Sequence, residues 1–284
     1  MIVTACGTRG SYPVSGKEYN EFGGATSCFK VSFGNTKKTD SLPVIIIDGG
    51  SGIKDAFSFD EKESSDRNKG VIVLITHLHL DHLIGLPSLS SLVEKERKTA
   101  IYLPKEENIA ELETLYSVPF WPLKLTDYPG DVKCLSLPED EKIFVAGADD
   151  KEAVKSPVIS YINGNHPGGS MMYRIDFDGK SLVYASDYEH SEESDKKLID
   201  FSRDADLLIY DGSYTEEEYE KCKGFGHSTP EHGAFIAKEA NIKRLLITHH
   251  APDHTDEALR NMERSLKETF PDSSFARIGE RIEL

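Results

Sequence analysis

The sequence predicts an α/β fold, and two patterns carry that prediction: short apolar, β-branched runs recur along the chain, and stretches with helical apolar periodicity interleave with them. In order, the runs are Met1–Cys6, Cys28–Phe33, Val44–Ile47, Val71–Ile75, Met171–Phe177, Ser181–Ala185, Leu207–Tyr210 and Leu245–Ile247, most bounded by Gly, Asp or Asn, and each reads as a strand. Helical periodicity is clearest over Leu86–Glu96, Thr229–Ala240 and Thr255–Thr269. The second of these opens on Ser228-Thr229-Pro230-Glu231, where a hydroxyl caps free amides and proline occupies the first turn. Residues 104–138 follow neither pattern. They hold several prolines and the run Val118-Pro119-Phe120-Trp121-Pro122, which proline bars from a regular helix. This segment reads as an irregular insertion or lid. Trp121 then either contacts substrate, sits with Phe120 in the core, or forms a contact between two copies of the chain. No linker, charge block or repeat marks a boundary, and 284 residues can bury a full core, so one domain over 1–284 is expected.

Charge narrows the partners. With 49 acidic against 33 basic side chains the net charge is −16, which opposes nonspecific binding of RNA or duplex DNA. A small anion is still compatible, because bound cations or a local Arg or Lys reverse the field at one cleft. Cys6, Cys28, Cys134 and Cys222 are far apart with no CxxC pair, and no basic–apolar leader precedes them, so reduced, buried thiols in a cytoplasmic protein are expected. The longest apolar runs are strand-sized, far short of the roughly 20 residues a spanning helix needs, so no membrane partner is expected.

The chemistry concentrates in Thr76-His77-Leu78-His79-Leu80-Asp81-His82, directly after the run Val71–Ile75. A strand end aims His77 and His79 to one side, and the following turn swings Asp81 and His82 toward a second centre a few ångströms away. Burying three imidazoles and a carboxylate at a sheet edge is unfavourable without a cation to compensate. The spacing therefore calls for metal.

At this motif the chain resembles the metallo-β-lactamase superfamily, which implies a four-layer αββα sandwich with metals on loops at one edge of two packed sheets. The resemblance extends to His166 in Asn165-His166-Pro167-Gly168-Gly169, Asp187 in Ala185-Ser186-Asp187, and His249 after Leu245–Thr248. It implies one metal held by His77, His79 and His166, another by Asp81, His82 and His249, with Asp187 bridging. Two divalent ions, zinc first and manganese or iron as alternatives, would then drive hydrolysis by acidifying a shared water. Asp48, in Ile47-Asp48-Gly49-Gly50-Ser51-Gly52, resembles the aspartate that orients a ligand loop, its alternative being a plain turn residue.

Asp187 in place of Cys speaks against β-lactam hydrolysis, and His79 in place of Glu against a redox di-iron centre. Gly226-His227-Ser228-Thr229 resembles the GHST element of ribonuclease Z and the cyclic-phosphate phosphodiesterases, which thioester hydrolases of the glyoxalase II type lack. That resemblance implies His227 as general acid, with Ser228 or Thr229 as helix cap and Ser228 near substrate. Further likeness to a bacterial subgroup near those phosphodiesterases runs through Gly7-Thr8-Arg9-Gly10-Ser11, Phe22 to Cys28, Pro119 to Pro122 and His249 to His254. Arg9 then either meets a phosphate or pairs at the surface. Asp211, Tyr214, His190 and His254 are expected behind the ligands. The implied activity is hydrolysis of a small or cyclic phosphodiester. The alternatives are a ribonuclease Z-like endonuclease, a thioester hydrolase and a non-catalytic metal-binding module.

Overall fold

A computed structural model of the chain describes residues 1–34, 39, 41–58, 69–95, 97–139, 142–145 and 156–284. Strands β1 (Ile2–Gly7), β2 (Cys28–Ser32), β3 (Val44–Ile47), β4 (Val71–Leu74), β5 (Lys98–Leu103) and β6 (Asp131–Ser136) pair in chain order. A second sheet holds β7 (Lys142–Phe144), β8 (Val158–Gly164), β9 (Ser170–Phe177), β10 (Lys180–Ala185), β11 (Leu207–Asp211), β12 (Arg244–Thr248) and β13 (Ser273–Phe275), again in sequence order. The final strand, β14 (Arg281–Glu283), returns to the first sheet beside β1, giving seven strands in each sheet. Pairing is parallel from β3 to β6 and from β10 to β13 and antiparallel elsewhere.

The pleat explains why these uninterrupted apolar runs form four layers. Successive side chains on a strand face opposite ways, so a run apolar at every position buries both faces of its sheet. In β3, Ile45 and Ile47 join the core between the sheets, with Phe29, Tyr173, Leu182 and Ile209. Val44 and Ile46 face the other way, against Leu83, Leu86, Leu89, Leu92 and Leu112. The second sheet repeats the arrangement: Val183, Leu208 and Ile247 turn outward against Leu198, Ile236 and Leu259. Those outer residues come from α2 (Glu192–Ser202), α4 (Pro230–Glu239) and α5 (Asp256–Thr269); α1 (Glu107–Leu115) and α3 (Glu216–Cys222) complete the helices among the described residues. This is the αββα sandwich.

Three expectations need correction. Residues 86–95 form two 3-10 turns, Leu86–Ser88 and Ser90–Leu92, rather than an α-helix, and Glu96 lies outside the described residues. The reason is the spacing of Leu86, Leu89 and Leu92: three residues apart is the period of a 3-10 turn. Residues 104–138 are in large part sandwich, supplying α1 and β6; only the stretch between those elements is irregular. Within it Val118 is 80% and Phe120 69% exposed, so Phe120 is not core, while Trp121 packs edge-on against Tyr116 and donates Nε1–H to the Tyr128 hydroxyl at 3.3 Å. Finally, Cys6 and Cys28 are buried but Cys134 and Cys222 are half-exposed, and all four are free. Among the described residues no helix is long and apolar enough to cross a membrane.

Candidate metal centre

The parallel strands make the site. Because β10, β11 and β12 run the same way, their carboxyl ends place Asp187, Asp211 and His249 side by side; in the first sheet the ends of β3 and β4 do the same for Asp48 and the His77 loop. The turn between β8 and β9 brings His166 in from the second sheet. Asp48, Asp187 and His249 have φ of 62°, 57° and 60°, a left-handed conformation that non-glycine residues adopt at a cost and that cluster at functional sites.

Two groups of donor atoms result, each drawn within 4.8 Å: His77, His79, His166 and Asp187; and Asp81, His82, Asp187 and His249. Asp187 belongs to both. Its Oδ1 lies 3.7 Å from His77 Nε2 and 3.2 Å from His249 Nε2, and its Oδ2 lies 3.1 Å from His82 Nε2. Asp81 Oδ2 lies 3.2 Å from His82 Nε2 and 3.3 Å from His249 Nε2. The Nε2 atoms of His77 and His82 are buried without a hydrogen-bond partner, although carboxylate oxygens are near. Imidazole nitrogens and carboxylates converging on shared points suit cations, and this donor set suits zinc, manganese or iron.

The outer nitrogens are fixed by partners that set each tautomer. His82 Nδ1 donates to Asp48 Oδ2 at 2.8 Å, and Asp48 also accepts from the Thr76 amide at 2.8 Å. His77 Nδ1 lies 3.0 Å from Thr76 Oγ1, His166 Nδ1 donates to the Gly226 carbonyl at 2.8 Å, and His249 Nδ1 lies 3.0 Å from Ser213 Oγ. The Ser11 amide donates to Asp81 Oδ2 at 2.8 Å, and Ser186 Oγ to Asp187 Oδ2 at 2.9 Å. Asp48, Thr76 and His82 are all buried. Thr76, Ser11 and Ser186 stand in motifs that draw attention through their neighbours and Ser213 in none, and the sequence assigns no role to any of the four.

Electrostatics divides the site. Burial holds His77, His79 and His166 below the ordinary imidazole value, overriding Asp187. Burial pushes His82 and His249 the same way, but carboxylates win: Asp187, Asp48 and Asp81 raise His82 well above its usual range, and Asp187 and Asp81 raise His249 to about 9. Desolvation would raise Asp81 and Asp187, yet the facing histidines hold both well below the usual carboxylate range.

Beside the donors, His227 gives Nδ1–H to Asp211 Oδ2 at 2.8 Å and stacks on His249 with ring centroids 4.7 Å apart. Asp211 is fully buried and also accepts from the amides of Asp187, Tyr188 and Ser213, so it ties the Asp187 loop to His227. Two hollows open over the donors. One of about 480 Å³ is lined by Ser11, His79, Leu80, Asp81, Asp187, Tyr214, Phe225, His227 and His249; the other, of about 370 Å³, lies over His77 and His79 against Lys105, Asn108 and Asn163.

Several candidates sit elsewhere. Arg9 is wholly buried: Nε donates to the Gly23 carbonyl and Nη1 to those of Ala251 and His254, with Tyr19 under the guanidinium, so it ties two loops together and lines neither hollow. Ser228 is also fully buried, its Oγ bonded to His190 Nδ1 at 2.7 Å and to the Tyr210 hydroxyl at 2.9 Å; Thr229 is the cap of α4. Neither is placed to touch substrate. Trp121 also lines neither hollow. His190 stacks on His232 at 3.9 Å and His254 pairs with Glu218 at 3.0 Å, both behind the site, whereas Tyr214 packs edge-on to His227.

The family model described as beta-lactamase superfamily domain matches residues 45–250. Ribonuclease Z of Bacillus subtilis is 24% identical, the match covering 71% of this chain and 76% of that protein. Ribonuclease Z of Thermoplasma volcanium is 29% identical, covering 65% and 71%. Among solved structures, the metallo-beta-lactamase fold protein YhfI from Bacillus subtilis aligns with a TM-score of 0.71 at 21% identity, over 99% of both chains. Human tRNase Z, short form, aligns at 0.65 and 20% identity over 100% of this chain and 99% of that one. A diphosphatase from the PhnP family aligns at 0.67 and 16% identity over 100% and 97%. With the two sheets, their flanking helices and this family match, the chain belongs to the beta-lactamase superfamily and is a metal-dependent hydrolase of the metallo-β-lactamase fold.

Proposed function

We propose that the chain is a dinuclear metallophosphodiesterase acting on small or cyclic phosphodiesters. The observation that carries the proposal is His227, anchored by buried Asp211, stacked on His249 and lining the same hollow as Asp81 and Asp187. His77, His79, His166 and Asp187 would hold one divalent cation, and Asp81, His82, His249 and Asp187 a second; zinc is the first choice, then manganese. Bound there, the pair would supply a water acidic enough to attack at neutral pH and positive charge to offset the phosphate oxygens.

The protein's own contribution is positioning and proton transfer. With Nδ1–H engaged by Asp211, His227 in its doubly protonated form presents Nε2–H, whose proton passes to the departing alkoxide and leaves the ring neutral with Nδ1–H still on Asp211. The net charge of −16 favours a substrate with one or a few phosphates over a long polyanion. The ribonuclease Z relatives support a second reading, cleavage of a transfer RNA precursor, which would need a basic RNA-gripping arm that the sequence does not display.

Hydrolysis of bis(p-nitrophenyl) phosphate, 2′,3′-cyclic and 3′,5′-cyclic nucleotides and a thioester, each with zinc or manganese, tests the reading. Diester turnover is expected, and His227→Ala should lower it about 10²–10⁴-fold with metal content unchanged. Turnover of the thioester alone, or a His227→Ala protein as active as the parent, overturns it. Cleavage of precursor RNA without small-diester turnover selects the second reading.

A further inference from the structure

Phe225 is 61% exposed, yet its backbone is held, its amide donating to the Cys222 carbonyl at 3.0 Å. It stands between Gly224 and Gly226, whose φ values of 89° and 93° favour glycine. Both glycine amides donate to the one carboxylate of Glu189, at 2.6 Å to Oε1 and 2.9 Å to Oε2. Glu189 is itself fixed, its amide donating to the Asn165 carbonyl at 2.8 Å and its carbonyl accepting from Asn165 Nδ2 at 2.7 Å. The Gly226 carbonyl accepts from His166 Nδ1, and a Cβ on Gly226 would lie 2.1 Å from that atom, so only glycine fits here and the loop is tied directly to a metal-ligand candidate.

An aromatic ring kept out of the core on a loop this constrained is preorganised for something that arrives at the hollow. Phe225, Tyr214 and Leu80, the last 57% exposed, supply apolar surface around a floor of Asp81, Asp187, His227 and His249. The hollow thus joins apolar side chains, an exposed aromatic ring among them, to a site for an anion, which is the division of a nucleotide into base and phosphate. Because His227 lines this hollow and not the one over Lys105, the group lying here is the one that departs.

Resting on the phosphodiesterase reading, we propose that Phe225, preset by Glu189, is the stacking platform for the base of a nucleoside leaving group, and so makes nucleotide diesters the preferred substrate class. Adenosine 5′-monophosphate and ribose 5-phosphate share the phosphate and sugar and differ in the base. Calorimetric titration of both into the zinc-loaded full chain should show the nucleotide binding about tenfold tighter, the size of one stacking contact. Phe225→Ala should bring that ratio near one, Phe225→Leu should restore little of it, and Phe225→Trp should restore most, all with the parent's zinc content.

A parent ratio near one, or a Phe225→Ala change that weakens both ligands equally, overturns the platform, the latter because the ring would then only support the loop. Bis(p-nitrophenyl) phosphate turnover is scored separately. Turnover with a ratio near one removes the platform and leaves the phosphodiesterase; a tenfold ratio erased by Phe225→Ala without any diester turnover leaves the platform and removes the phosphodiesterase.

Discussion

The two halves of the candidate metal centre are built from similar residues and differ in charge. One sets three histidines, His77, His79 and His166, around a single carboxylate, and burial keeps all three below the ordinary imidazole value. The other sets two histidines among Asp81, Asp187 and the nearby Asp48, and there the carboxylates raise His82 and His249. The first half is ready to give lone pairs. The second holds protons where it would hold a cation. The same residue type therefore stands in two settings with opposite protonation, and its neighbours decide which.

Asp187 is the residue the halves share, so its removal is the strongest test of treating them as one centre. Asp187→Ala should lower the affinity for both ions by more than about 100-fold, beyond the about 10–100-fold that partners behind the ligands cost, measured as metal content after dialysis. Loss of one ion with the other retained would mean that the halves are independent.

Proton linkage separates the halves next. His82, and His249 with its value of about 9, carry protons at neutral pH and must release them to bind metal; Asp81 and Asp187, held low, have none to release. Affinity at the second half should therefore climb with pH by up to about 100-fold per unit, two protons leaving, and the climb should slacken as pH passes about 9. His77, His79 and His166, held low, are already neutral, so the first half should be nearly flat above neutral pH. Chelator competition at several pH values, with calorimetry in buffers of different ionisation enthalpy, reads both slopes; equal slopes would erase the distinction.

The same contrast shows what sequence reveals. His77, His79, Asp81 and His82 stand out because four ligands within six positions after a strand are hard to reconcile with any other role. His166, Asp187 and His249 rest on family likeness, since Asp187 and His249 become neighbours only through the parallel order of β10 to β12 and His166 arrives on the turn between β8 and β9. The strands were plain where both faces are buried, as in β3, and hidden in β5, whose alternation includes exposed Lys98 and half-exposed Ala100 and Tyr102. Arg9 illustrates the converse. A glycine-flanked arginine suggests an exposed phosphate contact, and only folding shows that carbonyls of Gly23, Ala251 and His254 converge on it. Glu189 and Ser213 left no mark, since each acts on a backbone or ring far away in sequence.

Asp48 offers the finest division between the halves. One of its oxygens accepts from the Thr76 amide and the other from His82 Nδ1, so both must be acceptors. Asn at this position keeps the shape and leaves one acceptor. If its oxygen stays on Thr76, its amide faces His82 Nδ1 and favours the tautomer with the proton on Nε2, the atom needed for metal. If it turns over, two N–H groups meet at Thr76. Asp48→Asn should therefore weaken the Asp81–His82–His249 half about 10–100-fold. The His77–His79–His166 half, which Asp48 reaches through Thr76 rather than by a direct bond to a ligand ring, should change far less, as titration with one and then two equivalents of zinc would register. An equal loss at both halves would show that Thr76 transmits the change as strongly as the direct bond to His82.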